Sequence, residues 1–383
     1  VEKLKCPWEW GKVAIDVAQE NQHYFSDGYG LYEKREDGYA LVAVRAEDQR
    51  VRYTVASNTT VIERHAFEGQ MYIQEVELPE GVISIEEEAF ESCQALRRIV
   101  LPEGLTRICA DVFRCCISLE GLELPSTLKD LGEHAVTDTY GWSPSMNGIM
   151  YMRVHPDNPY FYHDANAFYQ RRENGSLLIK YFGKNEVWKI PEEVTELGAM
   201  ALRRSNLREI IIPETVKSIS KDAFAECGRL ECMEFAADGV KLYVPENPVY
   251  RKGEISSLFY RDNAGQLHYD YETYDSLLAD WSQILIRCRM AAFRLEYPVQ
   301  LPAARKRAYE ALIAEHLKDL VYDICKRDSL MDLAALGNAG MITAEHIEEM
   351  IDWTTACRRG KLTGYLLEYQ QEHFTENTFD FSL

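Results

Sequence analysis

The sequence predicts an α+β chain: a solenoid of short parallel strands carrying inserted β-hairpins, followed by an α-helical domain. Three observations carry this. Phe67, Phe90 and Phe113 recur at a 23-residue step within near-identical segments, VIERHAF, ISIEEEAF and TRICADVF. The segments VELP, IVLP and LELP, ending at Pro79, Pro102 and Pro125, keep the same step, so a whole unit repeats. After about Tyr271 the alternating pattern gives way to apolar residues at helical spacing. One unit this short cannot bury its own apolar face, and stacked neighbours can. The expected divisions are an N-terminal hairpin cap over 1–49, a solenoid over 50–271 and a helical domain over 272–383. The solenoid would carry one hairpin insertion near 150–186 and a terminal hairpin near 244–271.

Within each unit an apolar turn leads to a ladder hydrophobe and then a short strand. The ladder residues are Ile73, Leu96, Leu119, Leu207 and Leu230. The inward strand pairs are Val76/Leu78, Ile99/Leu101, Leu122/Leu124, Ile210/Ile212 and Met233/Phe235. Strand alternation then turns the residues between them outward. Three positions after each Phe stand Gln70, Cys93, Cys116, Thr139, Ser205 and Cys227, where Val136 and Leu202 replace the Phe in two units. This position calls for a small side chain that bonds the buried turn's backbone, and free Cys behaves as a small buried hydrophobe.

The pattern I-x-x-x-A-F-x-x-C-x-x-L-x-x-[IVL]-x-L-P resembles the BspA-type leucine-rich repeat over roughly residues 50–250. The resemblance implies a right-handed leucine-rich repeat solenoid with strands on one side and turns on the other. The family that the pattern resembles includes exported, adhesin-like members.

The period breaks between Val136 and Pro191, where VHPDNPYF (154–161) and AFYQRRENGSLLIKYF (167–182) intervene. The later segments VPENPVY (244–250) and LFYRDNAGQLHYDY (258–271) repeat the theme, as does the N-terminal DGYGLYEKREDGYALVAV (27–44). Asp37-Gly38, Asn174-Gly175 and Ala264-Gly265 supply the positive φ of hairpin turns. The first hairpin is expected to cap the solenoid's N-terminal end and the third to close the C-terminal end of its sheet.

Leu277, Leu278, Trp281, Ile284, Leu285, Cys288, Ala291, Ala292 and Leu295 predict one helix ending at Tyr297-Pro298. A second, long helix is expected from Pro302, with Tyr309, Ile313, Leu317, Leu320, Val321 and Ile324 inward. A short helix over Leu330–Leu336, a turn at 337–340, a helix capped by Thr343 and a final helix ending LLEYQQEH complete the chain. The short paired helices faintly resemble ankyrin pairs but lack their T-P-L-H signature.

The chain holds 62 acidic and 42 basic residues, a net charge of −20, without a clustered basic stretch. That excludes a phosphate-backbone partner, and no 18-residue apolar run spans a membrane. HExxH, GxSxG, Walker and GxGxxG motifs are absent, no cofactor is implied, and no CxxC or CxxH spacing marks a metal site. His65 and His134 are read as turn residues, and Glu86-Glu87-Glu88 as a solvated face. The candidate site is therefore the outward column Glu77, Val100, Glu123, Lys189, Ile211 and Glu234, with Glu75, Arg98, Glu209 and Glu231 beside it. It is expected to be polar and somewhat anionic and to contact a protein or peptide. A surface adhesin is the alternative, and a hydrolase would need an acid pair between solenoid and helices. Ten cysteines at non-pairing positions favour the cytoplasm, with the cell surface open if a leader preceded Val1.

Overall fold

The computed structural model describes residues 17–45, 49–137, 149–236, 239–244 and 258–374. Thr139 and most of the second NP segment, 245–250, lie outside them. A leucine-rich-repeat solenoid runs over residues 39–235 and helices follow. The residues fall into two compact units, one within 1–185, 191–206 and 215–227, the other within 186–190, 207–214 and 228–383.

The first unit begins with an antiparallel meander of β1 (Tyr24–Ser26), β2 (Gly30–Arg35) and β3 (Gly38–Val44). The coils then alternate between two layers. One layer stacks β4 (Arg52–Thr54), β6 (Glu75–Glu77) and β8 (Arg98–Val100) in parallel. The other stacks β5 (Thr59–Ile62), β7 (Ser84–Ile85), β9 (Arg107–Ile108) and β11 (Asp130–Leu131), and β3 pairs with β5, so the meander is built into the layer it caps. In the first layer's course, β10 (Gly121–Leu124) pairs in parallel with β12 (Tyr151–Val154).

The insertion repeats the opening device. A second meander, β13 (Phe161–His163), β14 (Ala167–Arg172) and β15 (Gly175–Tyr181), pairs in parallel with β17 (Val194–Leu197) and β19 (Ser218–Ile219), starting a new sheet. Both hairpin turns require glycine. Gly38 and Gly175 sit at φ 138° and 141°. A Cβ on Gly38 would stand 2.4 Å from the Asn58 carbonyl, and one on Gly175 2.4 Å from Thr195 Cγ2.

Phe67, Phe90 and Phe113 stack down the core, with ring centroids 4.5 Å and 5.7 Å apart. The predicted ladder residues and strand pairs are buried. The turns hold a feature that the apolar pattern does not announce: left-handed residues at two fixed positions, both filled in four of the described coils. His65, Glu88, Asp111, His134 and Met200 take the first position at φ 55–61°, and Gly69, Ser92, Cys115, Arg204 and Glu226 the second. These kinks aim turn amides along the stack, so Phe67 N donates to Ala89 O (2.7 Å) and Phe90 N to Val112 O (3.0 Å).

The small-residue position does what the sequence asks of it. Gln70 Nε2 donates to Val44 O (2.9 Å), Cys93 Sγ to Phe67 O (3.0 Å), Cys116 Sγ to Phe90 O (3.1 Å) and Cys227 Sγ to Leu202 O (2.9 Å). Each donor serves the preceding coil's turn. Burial pushes the Cys227 thiol up to about 11, keeping the donating S–H in place.

In the second unit β16 (Val187–Lys189), β18 (Glu209–Ile212) and β20 (Cys232–Phe235) stack in parallel, and β21 (Val240–Tyr243) closes them antiparallel. The third hairpin, β22 (Phe259–Arg261) with β23 (Leu267–Tyr269), does not close that sheet as expected. It packs by side chains instead: Phe259 and Tyr269 lie edge-on to Phe235, and Tyr269 OH donates to Met233 O (2.9 Å). The strand after Gly239 had already taken the edge.

Helices α1 (Tyr271–Asp280) and α2 (Ile284–Glu296) correct the single predicted helix. Trp281 is extended at φ −68°, ψ 127°, next to Ser282, a residue type that competes with the helical backbone. Asp270 caps α1 by accepting from Thr273 N (2.9 Å). α3 (Ala303–Arg327) matches the expectation and ends on left-handed Asp328. α4 (Leu330–Asn338) absorbs Gly337 and Asn338 from the predicted turn, α5 (Ile347–Ala356) is capped at His346 rather than Thr343, and α6 (Gly360–His373) is last. Among the described residues no helix is long and apolar enough to cross a membrane.

Candidate binding face

Strand register builds the face. In the first unit Arg52, Glu75 and Arg98 are Cα partners along one column, and Thr54, Glu77 and Val100 along the next. Gly121 and Glu123 on β10 pair with Tyr151 and Arg153 on β12. Val76, Ile99, Leu122 and Met152 point inward and are buried, so the alternation holds. Val100 is 46% exposed and Tyr151 44%. In the second unit Lys189, Ile211 and Glu234 line up in register, with Glu209 opposite Val187 and Cys232. The structure thus gathers Glu75, Glu77, Arg98, Val100 and Glu123 on the first unit, and Lys189, Glu209, Ile211 and Glu234 on the second.

The face is not anionic. Arg52 Nε donates to Glu75 Oε2 at 2.8 Å and its NH1 stands 3.8 Å from Glu77. Arg153 lies 3.3 Å from Glu123. Lys241 reaches Glu209 at 2.5 Å and Glu234 at 3.5 Å, while Arg208 meets Glu231 at 2.8 Å. Burial alone would lower the Lys241 pKa, but the Glu209 hydrogen bond leads the opposing contacts and raises it. Arg153 and Lys241 stand on β12 and β21, outside the regular period, whereas Arg52 stands in phase, 23 residues before Glu75, on a coil ahead of the first expected strand. Among the described residues Arg98 reaches no carboxylate, which leaves its guanidinium available.

Sequence reasoning missed Tyr151. Gly121 occupies the place that Glu75 and Arg98 fill in earlier coils, and a Cβ there would stand 2.2 Å from the Tyr151 ring. The missing side chain lets the ring lie on the sheet, with the Arg153 guanidinium 5.5 Å from its centroid. A glycine breaking the column, opposite an aromatic on the returning strand, was the available signal.

The turn layer differs from expectation as well. Only Glu87 of the acidic triplet is exposed. Glu86 accepts from Ser84 Oγ and Arg107, both at 2.8 Å, and Glu88 accepts from Arg64 at 2.5 Å. Those contacts hold both carboxyls below the usual range; in Glu86 they overcome burial, and for Glu88 the Arg64 hydrogen bond is the main cause. Two groups among the described residues have metal-ligand types at close range: His65, Glu68 and Glu91, and Glu86, Glu87 and Cys109.

Residues 51–142 and 180–246 match the family model of the BspA type leucine rich repeat region in six copies. No match was found among curated proteins. Similar solved structures include a leucine rich cell surface protein from Faecalibacterium prausnitzii (16% identity, TM-score 0.30, covering 57% of this chain and 78% of that one). Others are a leucine-rich repeat protein from Eubacterium ventriosum (17%, 0.39, 55% and 71%) and the T. pallidum leucine rich repeat protein (19%, 0.32, 54% and 89%). The coils within residues 51–142 and 180–246, on which most of the outward columns stand, match the BspA-type leucine-rich repeat.

Proposed function

We propose that the chain is a non-catalytic module that binds a protein or peptide on the outward face of its strands. The observation that supports this most is the patch of Val100, Tyr151, Arg153 and Glu123 on the first unit. It sets a half-exposed tyrosine and an arginine, the residue types enriched at the centres of protein interfaces, beside an exposed aliphatic and a carboxylate. Surface ion pairs of this kind contribute little stability, so the face can exchange its internal pairs for a partner's at small cost. The S–H donors of Cys93, Cys116 and Cys227 require reduced thiols, which favours a reducing compartment. A surface adhesin using the same face is the second reading.

Panning a displayed peptide library against the full chain tests the reading. Peptides enriched on the wild type should be lost both on Tyr151→Ala and on the double variant Glu77→Lys, Glu123→Lys. Enrichment that survives both variants, or none at all, overturns it.

A further inference from the structure

Apart from the strands, the turns bring unlike ligating atoms together at His65, Glu68 and Glu91. Glu68 and Glu91 hold the same place in successive coils, 23 residues apart, and stacking faces one carboxylate with the other. Two carboxylates this close repel one another, and a cation between them relieves the repulsion. His65 stands beside them because its left-handed backbone, φ 61°, turns the ring over its own coil, where Glu68 N donates to His65 O (3.0 Å).

The imidazole is held in a telling way. Its Nε2 lies 3.2 Å from Glu88 Oε2, and Glu88 is itself gripped by Arg64 at 2.5 Å. A carboxylate on one ring nitrogen fixes the tautomer and turns the other nitrogen's lone pair outward, the arrangement of histidines that ligate metals. That other nitrogen, Nδ1, is out of reach of solvent and makes no hydrogen bond, although Glu68 Oε2 is only 3.0 Å away. A nitrogen and an oxygen this close that do not aim at one another are placed as two ligands of one ion are. Ligands of a tetrahedral zinc ion stand on the order of 3.3 Å apart, given bonds of about 2.0–2.2 Å. The Glu91 carboxylate, whose Oε1 also stands 3.6 Å from Arg114 NH1, completes the set, with the three ligating atoms within 4.8 Å of one another.

We propose that His65 Nδ1, Glu68 and Glu91 bind a divalent cation of the zinc class, with Glu88 as the positioning residue behind the histidine. Three protein ligands leave a fourth place for water. The site joins two coils, so the ion ties adjacent repeats together and stabilises the folded chain by mass action. The neighbouring group around Cys109 suits a metal less well, because its thiol already donates to Glu86 at 3.5 Å.

The test is titration of the full-length, metal-stripped chain with Zn2+ by calorimetry, with the melting temperature followed in parallel. One ion should bind per chain and raise the melting temperature. His65→Asn, which tolerates the left-handed backbone, and Glu91→Gln should each weaken binding by at least about 100-fold, and Glu88→Gln by about 10-fold. Should His65→Asn fail to fold, the near-isosteric Glu68→Gln carries the same expectation. Co2+ in place of Zn2+ should give the visible absorption of a tetrahedral nitrogen and oxygen site in the wild type only. No Zn2+ binding, or binding unmoved by these variants but lost in Cys109→Ser, overturns the proposal.

Discussion

In the coils, Gln70, Cys93, Cys116 and Cys227 each satisfy a buried carbonyl of the preceding turn with a small neutral donor. In the helical region two arginines of α2 are buried outright and answered by full charges. Arg289 lies 2.6 Å from Asp332, and Arg294 lies 3.0 Å from Asp275, with all four side chains no more than 2% exposed. The coil solution can be copied from unit to unit because it uses one position of a repeat. The helical solution belongs to single places, and its two instances are not equivalent. Asp275 also accepts from Tyr309 (3.0 Å) and Arg305 (3.1 Å), while Arg294 donates to the carbonyls of Tyr297 (2.8 Å) and Val299 (2.7 Å). The other pair leaves Arg289 Nε and Asp332 Oδ1 without hydrogen-bond partners. Burial accordingly raises the Asp332 pKa in spite of Arg289.

The largest effects should come from breaking these pairs one member at a time. Asp275→Leu leaves Arg294 buried and uncompensated, at a cost of about 3–5 kcal/mol in denaturant melts. Asp332→Leu alone should cost a similar amount. Replacing both partners separates the two places. Arg289→Met with Asp332→Leu removes an incompletely satisfied pair at the loss of one outside bond, Arg289 NH1 to Tyr243 OH (2.7 Å), and should be neutral or stabilising by up to about 4 kcal/mol. Arg294→Met with Asp275→Leu also strips the carbonyls of Tyr297 and Val299 and should remain destabilising. Equal outcomes for the two double variants would remove the distinction.

The coil donors come next in size. Cys116→Ala leaves the Phe90 carbonyl with Cys93 N (3.2 Å) as its donor, a loss of about 0.5–1.5 kcal/mol for the missing second bond, whereas Cys116→Ser keeps a donor and should recover most of it. The same ladder has an alkaline signature. The Cys227 thiol is raised from 9.0 to about 11, so the folded chain holds a proton that the unfolded chain gives up first. Its stabilisation is whole below pH 9.0 and is lost as pH rises through about 11. Melting temperatures of wild type and Cys227→Ser should therefore converge across that interval, and a constant difference would show that the thiol proton plays no part.

This contrast also explains what was legible in advance. The ladder from Ile73 to Leu230, the inward strand pairs and the thiol position follow from one repeated sentence of sequence, because each coil meets the same neighbours. The break at Trp281–Gln283 was hidden because Leu278 and Ile284 continue a helical stripe across it. Arg289 and Arg294 read as interruptions of an apolar face, since their partners stand 43 and 19 residues away with no period to link them. On the binding face, Glu77 and Val100 follow from phase, and Arg52 keeps that phase one coil earlier, while Tyr151 and Arg153 sit on a strand outside it. The turn cluster has no signature along the chain, because Glu68 and Glu91 meet only across stacked coils.

The smallest effect is an acid one, and it tests the comparison by sign. On the outside of the coils, ion pairs join residues about one repeat apart: Arg64 with Glu88, Arg107 with Glu86, and Arg203 and Arg204 with Glu226. Burial pulls Glu226 upward, but the two arginines hold its carboxyl below the ordinary 4.5. A depressed folded value means that the unfolded chain binds protons first on acidification. The stabilisation from these carboxylates is whole above pH 4.5 and is lost as pH falls below it. Asp332 has the opposite shift, so its contribution is present below the ordinary 3.8 and declines as pH rises through its folded value. Hydrogen exchange followed from pH 6 to pH 3 should show the coil amides of Phe90 and Leu202 losing protection while those of α2 and α4 hold theirs. Protection lost together in both places would mean that the carboxylates of the coils and the buried pairs of the helices share one acid response.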